Sequence, residues 1–139
     1  MTPHIDPTRA QFDAFKALPR DRPVMMLNLL RFREAAAYPD GRAATGREAY
    51  AAYGKGSGPI FARVGGEILW RGTQEAMVIG PDDKDWHLAF IARYPTAAAF
   101  LEMVTDPDYQ AVTFHRTAAL EDSRLIRFGE LPGGAGFAG

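Results

Sequence analysis

The sequence contains no cysteine, which excludes disulfides, a cysteine-ligated zinc site and a thiolate nucleophile. It also lacks an excess of either charge: 16 basic residues face 17 acidic ones, and the formal net charge is -1. Nucleic acids and anionic membranes are bound through basic surfaces, so neither is expected as a partner. At 139 residues the chain has the size of one domain and can bury a core without covalent or metal cross-links.

Histidine is also scarce, and the three imidazoles form no metal-binding pattern. His4, His87 and His115 lie far apart, and none occurs in an H-x-H or H-E-x-x-H spacing that would place two ligands on one face. We therefore expect no metal and no other cofactor. The N-terminal residues show no basic region followed by an apolar one, so no export signal is apparent and a cytoplasmic location is expected.

The densest apolar run, residues 23–33, is too short to span a membrane. Both alternating sets of side chains in this run are apolar, whereas a strand with one face in water would alternate apolar and polar residues. We therefore predict a central strand over residues 24–32 that is covered on both faces. Helices of the same chain would cover one face, and a second subunit would cover the other.

Helix signals occur on both sides of this strand. Asp6-Pro7 is typical of a cap followed by proline at the first helical position, and it predicts a short amphipathic helix that ends at Pro19. Thr45 and Glu48 match a capping box and predict the start of a second helix.

The second helix contains an unusual number of glycines. Residues 54–59 read Gly-Lys-Gly-Ser-Gly-Pro, and such a segment weakens a helix, so we predict a kink or break near Gly58. Later caps at Thr96 and at Asp106, which precedes a proline, predict two further helices.

Four strands are predicted in all. After the strand at 24–32, a second runs over residues 67–71, with a bulge or bend at Gly72, and continues or resumes at 76–79. A third at 86–94 should pair with it as a hairpin, and a fourth covers 123–128. Residues 131–139 are rich in glycine and hold few packing groups, so they predict a flexible tail after a single domain spanning 1–130.

Without the first helix, the order of elements is βαββαβ, which is the ferredoxin-like pattern of the α+β class. In this topology the first and third strands lie at the centre of an antiparallel sheet, and the helices cover one face. The other face would expose a large apolar surface in a monomer. We therefore predict a homodimer whose two sheets pack face to face.

Several segments carry a resemblance to a known family. They are Met26–Phe32, Tyr50-x-x-Tyr53, Gly65–Gly72, Tyr94-Pro95-Thr96, Asp106–Gln110 and Glu121–Leu125. Together they resemble the family called domain of unknown function 1330, over residues 23–128, except that Gly54, Gly56 and Gly58 stand where a regular helix is more usual. The resemblance implies a dimeric α+β barrel. Families of that fold include muconolactone isomerases, cofactor-free monooxygenases and haem-handling enzymes, so the activity that it implies is broad.

Two polar residues interrupt the central strand and are candidates for ligand contact. Asn28 lies among leucines, where an unpartnered amide costs about 1–3 kcal/mol, so it either ties strands together or meets a ligand. Arg31 offers a planar fork for a carboxylate, an enolate or a phosphate. The alternative for Arg31 is an ion pair, with Glu34, Glu48 or Asp122 as its partner.

The remaining candidates are aromatic, basic or imidazole side chains. His87 has the residue type for a general base near neutral pH, although a hydrogen-bonded or solvent-facing strand histidine is the simpler explanation. The other candidates either line an aromatic or anion-binding pocket or serve as core and surface residues: Tyr50, Tyr53, Trp70, Arg71 and Arg116.

Two functions remain open at this level. The first is a cofactor-free enzyme, an isomerase, lyase or oxygenase, acting on a small apolar or aromatic acid in a pocket between sheet and helices. The second is a noncatalytic module for small-molecule binding or dimerisation. An enzyme needs a titratable group inside the pocket, whereas a module needs only the pocket or the interface.

Overall fold

The computed structural model describes residues 3–83 and 85–137, and it gives them five helices and four strands. In chain order these are α1 (Arg9–Ala17), β1 (Val24–Phe32), α2 (Gly46–Arg63), β2 (Glu67–Gly72), β3 (Leu88–Tyr94), α3 (Ala97–Thr105), α4 (Pro107–Gln110), α5 (Thr113–Ala119) and β4 (Leu120–Phe128).

The four strands form one antiparallel sheet in the spatial order β2-β3-β1-β4. The first and third strands are therefore central, as predicted, and β2 and β3 form the expected hairpin. The ferredoxin-like α+β fold is confirmed. The division into a domain over 1–130 and a flexible tail stays a prediction.

Alternation along β1 separates a covered face from an open one. Val24, Met26, Leu30 and Phe32 are buried under the helices, where they join two apolar core clusters. Leu27 and its strand neighbours on the same side face away from the helices. One face of the sheet is thus packed within the chain, and the other carries apolar side chains without a cover from the helices.

Helix α1 begins two residues later than predicted. Thr8 caps it, since its side chain accepts a hydrogen bond from the backbone nitrogen of Gln11 at 3.1 Å. Asp6 and Pro7 precede the helix and do not form its cap and first turn. A hydroxyl at residue 8 is as good a cap as a carboxylate at residue 6, and the sequence alone does not rank the two.

Helix α2 starts at the predicted capping box, in which Thr45 and Glu48 exchange two hydrogen bonds of 2.8 and 3.0 Å. The predicted break near Gly58 is wrong, because the helix is continuous to Arg63 with Pro59 inside it. Buried contacts along the helix explain its persistence. A Cβ at Gly56 would lie 2.7 Å from a methyl group of Val112, so this glycine permits close packing against the segment before α5.

Other features of the chain also differ from the sequence predictions, including the start of β3, which lies at Leu88 rather than at residue 86. Residues 76–79 form no strand and belong to a long loop between β2 and β3, because no neighbouring strand in the described chain pairs with them. The bulge in β2 lies between Ile68 and Trp70, and the strand ends at Gly72. The segment after Asp106 divides into α4 and α5, and β4 starts at Leu120 rather than at residue 123.

Candidate functional site

The covered face of the sheet and the helices above it enclose a cleft of about 1390 Å³. Its walls come from the sheet, from α1 and α2, and from the segment between α3 and the end of α5. The polar and aromatic side chains in its lining include Asn28, Tyr50, Tyr53, Arg71, Phe90, Tyr109 and Arg116. Four residues predicted from the sequence as ligand contacts, at positions 28, 50, 53 and 116, thus meet in one place.

The floor of the cleft contains a row of side chains that runs across the sheet. Arg71 on β2 pairs with Phe90 on β3, and Phe90 pairs with Asn28 on β1. Asn28 in turn pairs with Leu125 on β4. Directly paired residues of antiparallel strands share a face, so a cation, an aromatic ring and an amide stand side by side on the covered face, with Arg71 exposed on the edge strand.

Asn28 uses one end of its amide locally. Its Nδ2 donates to the backbone oxygen of Met26 at 3.1 Å. Since a backbone oxygen only accepts hydrogen bonds, the amide orientation is fixed by this contact. Within the described chain, Oδ1 of Asn28 has no hydrogen-bond partner, so it is left as an acceptor in the cleft.

Three tyrosines form the aromatic wall opposite the sheet. The rings of Tyr50 and Tyr53 lie 5.3 Å apart, and the hydroxyls of Tyr53 and Tyr109 are hydrogen-bonded at 2.7 Å. Burial raises the pKa of Tyr50 and of Tyr109 well above its ordinary value. Both hydroxyls are therefore protonated at physiological pH and are available as donors rather than as bases.

Two arginines supply positive charge to the same cleft. The charges of Arg116 and Arg71 lower the pKa of Tyr50 and so partly offset the burial that raises it. Arg116 donates to the backbone oxygen of Ile5 at 2.6 Å. Among the described residues, no carboxylate lies within 4.0 Å of either guanidinium.

Arg31 lies outside the cleft, on the open face of the sheet. It forms ion pairs with Asp85 and, at 3.4 Å, with Glu121, and it borders a separate pocket of about 460 Å³. An ion pair was one of the two readings of this residue, but its acidic partners differ from those predicted. Trp70, another predicted contact, is 53% exposed and pairs with Ile91 on the open face.

His87 also borders the smaller pocket rather than the cleft. Its Nδ1 accepts a hydrogen bond of 3.0 Å from the backbone nitrogen of Phe32, and its Nε2 lies 3.2 Å from Nη1 of Arg31. Burial and the charge of Arg31 together lower the pKa of His87. The imidazole is thus held neutral, with Nδ1 occupied by a backbone donor.

This arrangement predicts a pH dependence of stability. The folded protein holds the His87 pKa below the ordinary value of about 6.5, so the unfolded chain takes up the proton first as the pH falls, and stability is lost below about pH 6.5. His87→Asn keeps an acceptor for the backbone nitrogen of Phe32 but cannot titrate. We expect its free energy of unfolding to fall less than that of the wild type between about pH 7.5 and 5.5.

Urea denaturation at several pH values measures this difference. At pH 8 both proteins carry a neutral side chain at position 87, so their stabilities there provide the reference. An equal loss of stability in both proteins on acidification would show that burial and the charge of Arg31 do not lower the pKa of His87 in the folded protein.

The sequence does not indicate Phe90 and Tyr109 as site residues, and it leaves Arg71 open between an anion-binding role and a surface charge. The signal for Arg71 and Phe90 is the register of the sheet, which follows from pairing and not from local pattern. Tyr109 comes from the short helix after Asp106, and only the packing of that helix brings its hydroxyl to Tyr53.

Comparisons with known proteins identify close relatives. The model of the family described as domain of unknown function (DUF1330) matches residues 42–128. The crystal structure of methylated RPA0582 protein is 56% identical, with a TM-score of 0.93 over 96% of this chain and 99% of that one. A second structure of RPA0582, a protein of unknown function from Rhodopseudomonas palustris, is 55% identical, with a TM-score of 0.91 over 95% and 100%.

A more distant likeness concerns the fold alone. SnoaB from Streptomyces nogalater, described as a cofactor-independent oxygenase, is 17% identical, with a TM-score of 0.53 over 81% of this chain and 96% of that one. No curated protein matches the chain. Across residues 3–83 and 85–137, none of the helices has the length and apolar character needed to cross a membrane.

Proposed function

The chain belongs to the DUF1330 family, and from this premise we propose that it binds a small carboxylic acid of apolar or aromatic character in the cleft between sheet and helices. The observation that carries the proposal is the presence of Arg71 and Arg116 in an aromatic cleft without a carboxylate partner among the described residues. A ligand of opposite charge would satisfy both guanidinium groups.

The chemistry of the lining favours an acid over other anions. A guanidinium matches a carboxylate in a planar, two-bond arrangement, and the protonated hydroxyl of Tyr50 adds a further donor. The remaining walls are aromatic and apolar, including Phe90 and Tyr53, and they would bury a ring or a short hydrocarbon. A large polyanion would leave these walls without a matching surface.

Titration calorimetry with benzoate tests the proposal. We expect Arg71→Gln and Arg116→Gln each to weaken binding about tenfold or more, since each removes a charge-assisted hydrogen bond. Arg22→Gln serves as the matched control, because Arg22 is exposed and lies outside the cleft. The proposal fails if benzoate does not bind, or if all three variants bind it as the wild type does.

Recognition of an acid, rather than its conversion, is the function that the geometry supports best. The predicted base, His87, borders the other pocket, and Tyr50 and Tyr109 in the cleft stay protonated. Their hydroxyls would hold an oxyanion but would not remove a proton from carbon. The cofactor-free isomerase, lyase or oxygenase therefore stands second, since the likeness to the oxygenase SnoaB concerns the fold alone.

The open face of the sheet supports a second proposal, that the protein acts as a homodimer. Trp70, Ile91, Leu27 and Ile126 form a row of apolar side chains across all four strands on this face. Two of these large apolar side chains are substantially exposed in the single chain: Trp70 is 53% exposed and Ile126 is 41% exposed. A second copy packed sheet against sheet would remove this row from water at both subunits at once.

A further inference from the structure

The side chains on the floor of the cleft differ in hydrogen-bonding character as well as in charge. This difference restricts which acids would fit. Building on the proposed function, we infer that the ligand is an aromatic acid with a hydroxyl group opposite its carboxylate. The inference comes from the order of side chains in the row Arg71, Phe90, Asn28. It also depends on which donor or acceptor at each end of the row is free to bind a ligand.

The row has the dimensions of such a ligand. Neighbouring strands lie about 4.8 Å apart, so Arg71 and Asn28 are separated by about 10 Å at their Cα atoms, with Phe90 between them. The long side chain of arginine shortens the space between the two polar groups. A single aromatic ring placed on the ring of Phe90 therefore has one edge toward the guanidinium and the opposite edge toward the amide.

The two ends of the row are chemically opposite. A guanidinium has donors only, and it binds a carboxylate. Nδ2 of Asn28 is bonded to the backbone oxygen of Met26, so the atom of Asn28 left over is the acceptor Oδ1. An acceptor repels a carboxylate but binds a hydroxyl, so the carboxylate lies at the Arg71 end and the hydroxyl at the Asn28 end.

Arg116 lies above the sheet on the β4 side, where it donates to the backbone oxygen of Ile5, next to a segment that is bonded to β4. Arg71 is therefore the cation that stands in the row itself, on the far side of Phe90 from Asn28. The hydroxyl of Tyr50, which burial keeps protonated, is a further donor in the cleft. The orientation of the ligand along the row follows from Asn28, because an acceptor such as Oδ1 binds a hydroxyl and repels a carboxylate.

The discriminating experiment compares two acids of nearly equal size. In titration calorimetry, wild-type protein should bind 4-hydroxybenzoate about tenfold or more tightly than 4-methylbenzoate, because the methyl group would bury Oδ1 of Asn28 without a donor. Benzoate, which lacks both substituents, should bind less tightly than 4-hydroxybenzoate. In Asn28→Leu the preference for the hydroxyl should disappear, while 4-methylbenzoate still binds.

The outcomes separate this inference from the proposal on which it rests. Equal binding of the three acids by the wild type would overturn the inference and leave acid recognition intact. Binding of none of them would overturn both. If Asn28→Leu folds and still prefers 4-hydroxybenzoate, a group other than Asn28 reads the hydroxyl and the inference is wrong; if that variant does not fold, the wild-type comparison alone decides.

Discussion

Gly46→Ala is expected to lower the free energy of unfolding by about 3 kcal/mol or more, because the first residue of α2 lies directly against the backbone. A Cβ at this position would collide with the backbone oxygen of Arg33 and would lie 2.7 Å from that of Ala119. These two residues cannot move apart freely, since the nitrogen of Arg33 donates to the oxygen of Ala119 at 2.8 Å. Thermal unfolding should show a fall in Tm of about 10 °C.

Gly54→Ala is the matched control for this substitution. It lies in the same helix, but a Cβ there would meet no atom within 4 Å. Alanine in a helix interior is favoured over glycine by about 0.5–1 kcal/mol, so Gly54→Ala should raise the Tm slightly. If the two variants had the same stability, α2 would not begin in contact with the end of β1.

Leu27→Glu is expected to convert a dimer into a monomer. Leu27 lies at the centre of the open face, with Ile91 and Ile126 as its direct neighbours on the adjacent strands. By symmetry, a carboxylate at this position would be buried twice in a face-to-face dimer, at a cost of several kcal/mol for each unpaired charge. Sedimentation equilibrium at micromolar concentration should therefore give a dimer for the wild type and a monomer for the variant.

Leu131→Glu provides the control for a charge placed on an exposed leucine. Leu131 is 83% exposed and follows β4, outside the sheet. This variant should sediment like the wild type. A wild-type protein that is monomeric at every concentration would refute the dimer, and a Leu27→Glu variant that remains dimeric would place the interface on another surface.

The fold was predictable because its strongest signals are local. The apolar run at 24–32, the capping box at Thr45 and the caps before α3 and α4 all lie where the sequence placed them. Errors arose where local signals compete with packing. Residues 54–59 would interrupt an isolated helix, yet the buried contacts of α2 hold it continuous.

The opposite error occurred in the loop after β2. Residues 76–79 have the composition of a strand, but Val78 and Ile79 are about nine-tenths exposed in an irregular segment. Strand propensity expresses a fit to a neighbouring strand, and the described chain offers none at this position. A local pattern cannot report whether such a neighbour exists.

Part of the candidate site could also be predicted from the sequence. The sequence predicts both Asn28 and Arg31 as ligand contacts, although positions three apart on a strand point to opposite faces. The structure places Asn28 in the cleft and Arg31 on the open face, in agreement with this alternation. The grouping of Arg71 and Phe90 with Asn28 could not be obtained in this way, since it depends on how three separate strands align.

A crystal structure with 4-iodobenzoate tests most directly whether the cleft binds an aromatic acid. The iodine atom gives an anomalous peak that locates the ligand independently of its shape. We expect one strong peak inside the cleft beside Phe90, and no such peak in crystals of the Arg71→Gln, Arg116→Gln double variant. A peak found only outside the cleft, or one in the cleft that persists in the double variant, would contradict recognition of the acid by these two arginines.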